Sequence, residues 1–146
     1  MNRKQLQHTP PAGIQEDAIF FITINCRPRG KNQLAIKETA EKIFESVRLR
    51  KQMNDWWPEL ILLMPDHLNG FIRFSPQKSM NSIISNWKRY TARFYGIQWQ
   101  RGFFDHRIRS DDSLASKWEY ILNNPVNAGL TEMPEKWPFV WTAEDF

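Results

Sequence analysis

Two polar side chains, His67 and Asn69, stand two residues apart in the stretch MPDHLNG, directly before the apolar run FIRF. In a β-strand, residues two apart point to the same side, so His67 and Asn69 share one face while Leu68 and Ile72 share the other. An imidazole nitrogen and an amide oxygen on one face can both bind a divalent metal ion. The alternative is a hydrogen-bonded or surface histidine followed by a turn-forming asparagine.

A second candidate is Tyr120, which lies in a stretch predicted to be helical from residue 111 to residue 124. The apolar stripe of this helix is formed by Leu114, Trp118, Ile121 and Leu122. At about 100° per residue, Tyr120 falls roughly opposite that stripe, and Asn124 lies one turn further on the side of Tyr120. Tyr120 is therefore available as a nucleophile, as a surface ring, or as a packing residue against another element.

A third feature is the mixture of basic and aromatic residues between positions 87 and 109. The basic residues are Lys88, Arg89, Arg93, Arg101, Arg107 and Arg109, and they alternate with aromatic residues that include Trp87, Tyr90, Phe94, Phe103 and Phe104. Cations pair with phosphates, and aromatic faces stack on unpaired bases, so the pattern favours binding to single-stranded DNA. Alternatively, the aromatic residues form a core and the arginines form a solvated surface. His106 is interpreted as a local hydrogen-bonding residue or a DNA contact.

Length and composition indicate the class of protein that carries these residues. The chain has 146 residues, enough for one domain with a full core, and its net charge of +4 only permits an acidic partner. The single cysteine, Cys26, excludes an internal disulfide and is typical of a cytoplasmic protein. The sequence contains neither an apolar run of about 18 residues nor a signal peptide. We expect a flexible N-terminal tail over residues 1–17, a single domain over residues 18–146, and no membrane association.

The elements that must position the candidate residues follow from hydrophobic periodicity. Strands are predicted at 18–26, 59–65, 67–74 and 103–109, and helices at 34–53, 80–95 and 111–124. Ser79 is expected to cap the second helix and Pro125 to stop the third, while NDWWP ends the first. The aromatic C-terminal stretch is expected to pack back on the body. This order predicts an α+β domain with a ferredoxin-like antiparallel sheet and flanking helices.

Several stretches, in this order, resemble the REP-associated tyrosine transposases, which belong to the single-tyrosine branch of the HUH transposases. They are MPDHLNG, NWKRYTARF, WQRGFFDHRIR, EYILNNPVNAGL and WPFVW. The resemblance covers most of the chain, from about Phe20 to Trp141, and its order and spacing are specific although each stretch alone is weak. It implies a ferredoxin-like fold and a partner that is single-stranded or hairpin DNA, with palindromic repeats near its own gene as the substrate class. Some relatives act as monomers and others as homodimers.

The resemblance also implies a reaction and a set of site residues. In this family a tyrosine attacks a phosphodiester, becomes joined to the 5′-phosphate and frees a 3′-hydroxyl, so that the strand can be rejoined later. A divalent metal ion, Mg²⁺ or Mn²⁺, polarises the phosphate. Tyr120 matches the nucleophile, His67 matches the first metal-binding histidine, and Asn124 matches the position of a third polar ligand.

The sequence departs from the family pattern at Asn69, which occupies the position of the second histidine. An amide oxygen carries no charge and is a weaker donor than imidazole, although it suits Mg²⁺ or Mn²⁺. Three hypotheses therefore stand: a metal-dependent transposase that nicks and transfers DNA strands, a catalytically impaired, domesticated DNA-binding protein with the same fold, and an α+β protein without nucleic-acid function. The ordered run of motifs argues against the third.

Overall fold

The structure, a computed structural model, describes residues 18–145, so the predicted N-terminal tail at residues 1–17 lies outside the described residues. The elements are β1 (Phe20–Asn25), α1 (Lys37–Gln52), β2 (Trp56–Met64), β3 (His67–Phe74), α2 (Met80–Tyr95), β4 (Phe104–Arg107), α3 (Asp111–Leu122), α4 (Asn124–Asn127) and β5 (Val140–Thr142). The strands form one antiparallel sheet in the order β4-β1-β3-β2-β5. The predicted α+β class with a ferredoxin-like sheet is confirmed. None of the helices described in residues 18–145 is long and apolar enough to cross a membrane.

Both faces of the sheet are covered, because its strands alternate between two apolar clusters. The larger cluster joins Ile22, Ile24 and Ile72 of the sheet to residues of α1 and α2, such as Ile43 and Trp87. The smaller cluster, on the other face, contains Leu60, Leu62, Met64, Phe71 and Ile121 of α3. The face that carries His67 and Asn69 is therefore also partly core, and α3 packs over it.

The central strand and the second helix have the bounds predicted from the sequence, whereas the start of β2 does not. Ser79 caps α2 as predicted, because its hydroxyl accepts a hydrogen bond from the Ser82 N–H. The stretch NDWWP does follow the end of α1 at Gln52, as predicted, but the predicted start of β2 at residue 59 was wrong, since β2 begins at Trp56 and includes Pro58. Pro58 is tolerated because the β2–β3 register shifts between Pro58 and Leu60, where a bulge removes the need for a ladder N–H.

The C-terminal third contains two elements that were not predicted, the short helix α4 and the fifth strand β5. Pro125 does interrupt α3, which ends at Leu122, but it also stands in the first turn of the short helix α4. Proline is tolerated there because a first-turn N–H has no partner within the helix. The aromatic tail packs on the body as expected: β5 pairs with β2, and the Trp137 indole donates a 3.0 Å hydrogen bond to the Leu63 carbonyl.

Candidate active site

His67 and Asn69 lie at the start of β3, in a polar patch on the α3 face of the sheet. In the β1–β3 ladder, Asn25 stands opposite His67 and Thr23 opposite Asn69. The Thr23 hydroxyl donates a 3.0 Å hydrogen bond to Asn69 Oδ1. Directly opposed residues of an antiparallel pair point to the same side, so these four side chains form one polar group beside the smaller apolar cluster.

His67 is held by Asp66, a residue that the sequence analysis did not single out. The Asp66 carboxylate places Oδ1 3.0 Å from His67 Nδ1, and its Oδ2 accepts hydrogen bonds from Arg29 Nε at 3.0 Å and the Gly30 N–H at 2.8 Å. The backbone of this corner is also fixed, since the Cys26 N–H donates to the Asp66 carbonyl at 2.8 Å. Asp66 thus joins the β1–α1 loop to the imidazole of the candidate site.

The charge of Asp66 explains how it orients His67. Burial by itself raises the pKa of this carboxyl, but the hydrogen bonds from Arg29, His67 and Gly30 together hold the pKa well below its usual range. The ionised carboxylate can only accept, so His67 Nδ1 must be the protonated nitrogen. In the neutral imidazole, Nε2 is then left as an acceptor, which is the arrangement that metal-binding histidines adopt.

The remaining donors are amides, and this limits the metal that the site suits. Asn69 is only 4% exposed, and its Oδ1 already accepts from Thr23, which leaves one lone pair of that oxygen. Within residues 18–145, no group of three or more His, Cys, Asp or Glu side chains is placed to hold a metal ion. Imidazole nitrogen and amide oxygen are donors that Mg²⁺ or Mn²⁺ accepts only weakly, so metal binding by His67, Asn69 and Asn124 stays a prediction.

Tyr120 lies on α3 outside the apolar stripe, as its spacing predicted. Trp118 stacks on Phe71 of β3, with ring centroids 5.4 Å apart and planes inclined by 3°, and this contact seats the helix on the sheet. Lys117 lies over the Phe21 ring of β1 at 5.7 Å. Tyr120 is three residues further along on the side of Lys117, and it is 61% exposed. Its phenol is therefore open to a macromolecular substrate.

Asn124, the third residue predicted by resemblance, begins α4 and is half-buried. The structure thus places His67 and Asn69 on the α3 face of the sheet and Tyr120 on α3 itself, with Asn124 two residues beyond the end of that helix. Their joint action in one site stays a prediction.

The six basic residues predicted to bind DNA are divided between two regions. Arg89 and Arg93 are exposed on α2, where Arg89 donates to Asn86 and the Arg93 guanidinium lies over the Phe94 ring. Three others lie along the segment that enters and leaves β4, at the sheet edge: Arg101, Arg107 and Arg109. Arg107 stands opposite Phe20, whose ring packs on the larger cluster, so Arg107 lies on the α2 face of β4, while Arg101 and Arg109 lie in the segments on either side of this strand.

Lys88 differs from the other basic residues because its ammonium group is engaged within the protein. It donates to the Gln100 carbonyl at 2.8 Å and to the Gly102 carbonyl at 2.6 Å, and burial lowers its pKa. Lys88 therefore ties α2 to the loop before β4. Its predicted contact with DNA remains a prediction, and the structure adds a role in positioning this loop.

Replacing Lys88 by methionine is expected to lower the free energy of unfolding by about 2 kcal/mol. The change removes two charge-assisted hydrogen bonds while retaining most of the apolar stem. A urea titration followed by circular dichroism measures the effect. Arg101→Ala, a substitution at an exposed cation of the same loop, should leave the urea midpoint unchanged. Equal urea midpoints for Lys88→Met and the parent chain would show that the two hydrogen bonds of Lys88 contribute nothing to stability.

Comparison with known proteins adds sequence relatives to this geometry. A Haemophilus influenzae protein named "Putative REP-associated tyrosine transposase" is 29% identical over 143 residues, which cover 83% of this chain and 77% of the relative. A second protein of that organism, named "Uncharacterized protein", is 27% identical over 158 residues, covering 77% of this chain and 82% of the relative. No family model matches the chain.

Two solved structures share the fold. One is described as a REP-associated tyrosine transposase bound to a REP hairpin; it has a TM-score of 0.75 and 21% identity, covering 92% of this chain and 82% of its own. The other is a "putative transposase" from Deinococcus radiodurans with a TM-score of 0.54 and 16% identity, covering 80% of this chain and 97% of its own. The resemblance predicted from the sequence is therefore confirmed in sequence and in fold.

Proposed function

We propose that this chain, a relative of the REP-associated tyrosine transposases, binds single-stranded or hairpin DNA and cleaves and rejoins it through a 5′-phosphotyrosine intermediate. Support comes from the similarity to a relative of that name and to a solved transposase that is bound to a REP hairpin. Further support comes from an exposed tyrosine on α3, which packs on the face of the sheet that carries His67 and Asn69.

The observation that carries the proposal is the Asp66–His67 pair. A histidine whose Nδ1 is fixed by a carboxylate presents Nε2 to a ligand, and this arrangement is expected of a metal-binding or phosphate-binding imidazole rather than of a surface residue. Arg29 and Gly30 hold the other carboxylate oxygen, so the orientation is set by a loop outside the strand itself.

In the proposed reaction, the Tyr120 oxygen attacks the phosphorus of a DNA phosphodiester. The tyrosyl O–P bond forms, the P–O3′ bond breaks, and the phenolic proton is balanced by the proton gained by the 3′-hydroxyl. The exchange conserves one phosphodiester-type bond, so the reverse attack by a 3′-hydroxyl rejoins the strand. A divalent ion held by His67, Asn69 and Asn124 would polarise the phosphate oxygens when bound. Arg101 and Arg109, in the segments on either side of β4, would pair with neighbouring phosphates.

The experiment is a cleavage assay with hairpin oligonucleotides taken from palindromic repeats that flank the gene of this chain. Purified protein is incubated with labelled hairpin and Mn²⁺ or Mg²⁺, and the mixture is separated under denaturing conditions. A protein–DNA adduct that requires the metal ion, and that a chelator prevents, is the expected result. Hairpin binding without any adduct, at every metal concentration tried, would contradict the cleavage step.

A second candidate function is hairpin binding without cleavage, and the environment of Asn69 favours it. This amide is buried and its oxygen accepts from Thr23, so it can hold β1 to β3 without holding a metal ion. Both candidates predict DNA binding that weakens as salt is raised, because phosphate contacts release counterions. Only the first predicts the covalent adduct.

A further inference from the structure

Phe104 is an exposed aromatic residue at the edge of the candidate site. It belongs to β4, the edge strand, and stands opposite Thr23 of β1, which itself stands opposite Asn69 of β3. Directly opposed side chains share a face, so Phe104, Thr23 and Asn69 form one row on the α3 side of the sheet. With about 4.8 Å between strands, Phe104 lies about 10 Å from Asn69.

The Phe104 ring is not needed by the core. It is 63% exposed, and neither apolar cluster of residues 18–145 includes it. Its neighbour Phe103 behaves differently, since it packs against the larger cluster and anchors the start of the strand. Alternation along β4 explains the contrast, because successive side chains point to opposite faces.

The surroundings of Phe104 are cationic rather than apolar. His106 is exposed two residues away on the same face, opposite Phe21, and Lys117 of α3 lies over the Phe21 ring. Arg101 is exposed in the loop that leads into β4. Asp105, the acidic residue of this strand, alternates to the other face, opposite Ile22. An exposed ring with the basic residues Lys117 and Arg101 on neighbouring elements suits a base whose phosphates lie on either side.

We infer that Phe104 is a stacking platform for one unpaired base of the DNA strand that enters the site, next to the phosphate that Tyr120 attacks. The inference rests on the proposed function and adds to it a subsite for a single-stranded nucleotide. It distinguishes single-stranded DNA from duplex, because a paired base has both faces stacked within the helix and cannot cover the ring. Stacking is tolerant of sequence, so Phe104 selects for an unpaired nucleotide and not for a particular base.

The test compares two labelled hairpins from the flanking repeats, one blunt and one with a single-stranded extension, by fluorescence anisotropy. Tyr120→Phe serves as the background so that no adduct forms. Phe104→Ala is expected to weaken binding of the extended hairpin about tenfold, in line with the loss of one base stack, and to leave the blunt hairpin unchanged. Phe104→Trp should restore the tighter binding of the extended hairpin. The inference would be overturned if Phe104→Ala weakened binding of both hairpins equally, or if it left both affinities unchanged.

The matched control is Met53→Ala, because Met53 is 52% exposed but stands at the C-terminal end of α1, a helix that packs on the face with the larger cluster. It should leave both affinities unchanged. Abasic nucleotides placed one at a time along the extension give an independent readout. One position should reproduce the loss in the parent background and cause no further loss with Phe104→Ala. Additive losses at every position would contradict a direct stack.

Failure of the inference can be told from failure of the proposed function. If Phe104→Ala weakens binding of the extended hairpin but not of the blunt hairpin, and the native chain forms no adduct, the platform stands and the cleavage step fails. If an adduct forms and Phe104→Ala binds both hairpins as the parent does, the cleavage step stands and the platform fails. Absence of binding to either hairpin overturns both.

Discussion

Replacing Tyr120 by phenylalanine is expected to abolish the covalent protein–DNA adduct while leaving hairpin affinity within about twofold. The substitution removes one oxygen, the atom that would bond to phosphorus, and retains the ring. Because Tyr120 is 61% exposed and lies outside the apolar stripe of α3, the thermal midpoint should not move. Denaturing electrophoresis measures the adduct, and fluorescence anisotropy measures the affinity.

The chain provides its own control for this prediction. Its other two tyrosines, Tyr90 and Tyr95, both lie on α2, and their rings contact each other with centroids 5.7 Å apart. Tyr95 packs against the larger cluster, on the face opposite α3. Tyr90→Phe should therefore form the adduct as the parent does. An adduct that persists in Tyr120→Phe, or that mass spectrometry assigns to a peptide of α2, would contradict the assignment of the nucleophile.

The sequence predicted the elements that carry strong local signals. β3 and α2 have the predicted bounds because Pro65 and Asp66 form the turn before β3 and because Ser79 supplies a local cap. The start of β2 was not predicted, since Pro58 indicates a break and only the bulge opposite β3 makes it acceptable. A bulge is a property of two paired strands, so one stretch of sequence does not reveal it.

The same division applies to the site residues: features set by the local sequence could be predicted, and features set by distant partners could not. The shared face of His67 and Asn69 and the exposed side of Tyr120 follow from the periods of a strand and a helix. The roles of Asp66 and Lys88 could not be predicted from these periods, because their partners lie far along the chain. Asp66 meets Arg29 across 37 positions, and Lys88 binds carbonyls 12 and 14 positions away. For Asp66, the one signal available in the sequence was its position directly before His67.

Replacing Asn69 by histidine is expected to tighten Mn²⁺ binding by at least about tenfold and to raise the rate of adduct formation. Even partners that only orient a metal ligand are worth about 10- to 100-fold in affinity, and an imidazole is a stronger donor than an amide oxygen. The new ring would share the face of His67, whose Nε2 is already presented by Asp66. Calorimetric titration with Mn²⁺ measures the affinity, and the cleavage assay measures the rate.

Asn69→Leu is the matched variant, because it keeps nearly the same shape and removes every donor atom. If Asn69 is a weak ligand, Mn²⁺ affinity should fall with leucine and rise with histidine. If Asn69 only joins β3 to β1 through Thr23, leucine should lower the thermal midpoint and leave the affinity unchanged, because a buried hydroxyl loses its acceptor. Unchanged affinity in Asn69→His, with a thermal midpoint equal to that of the parent, would contradict the shared metal-binding face. The histidine and leucine variants together therefore decide between a weakened metal site and a DNA-binding fold that no longer uses one.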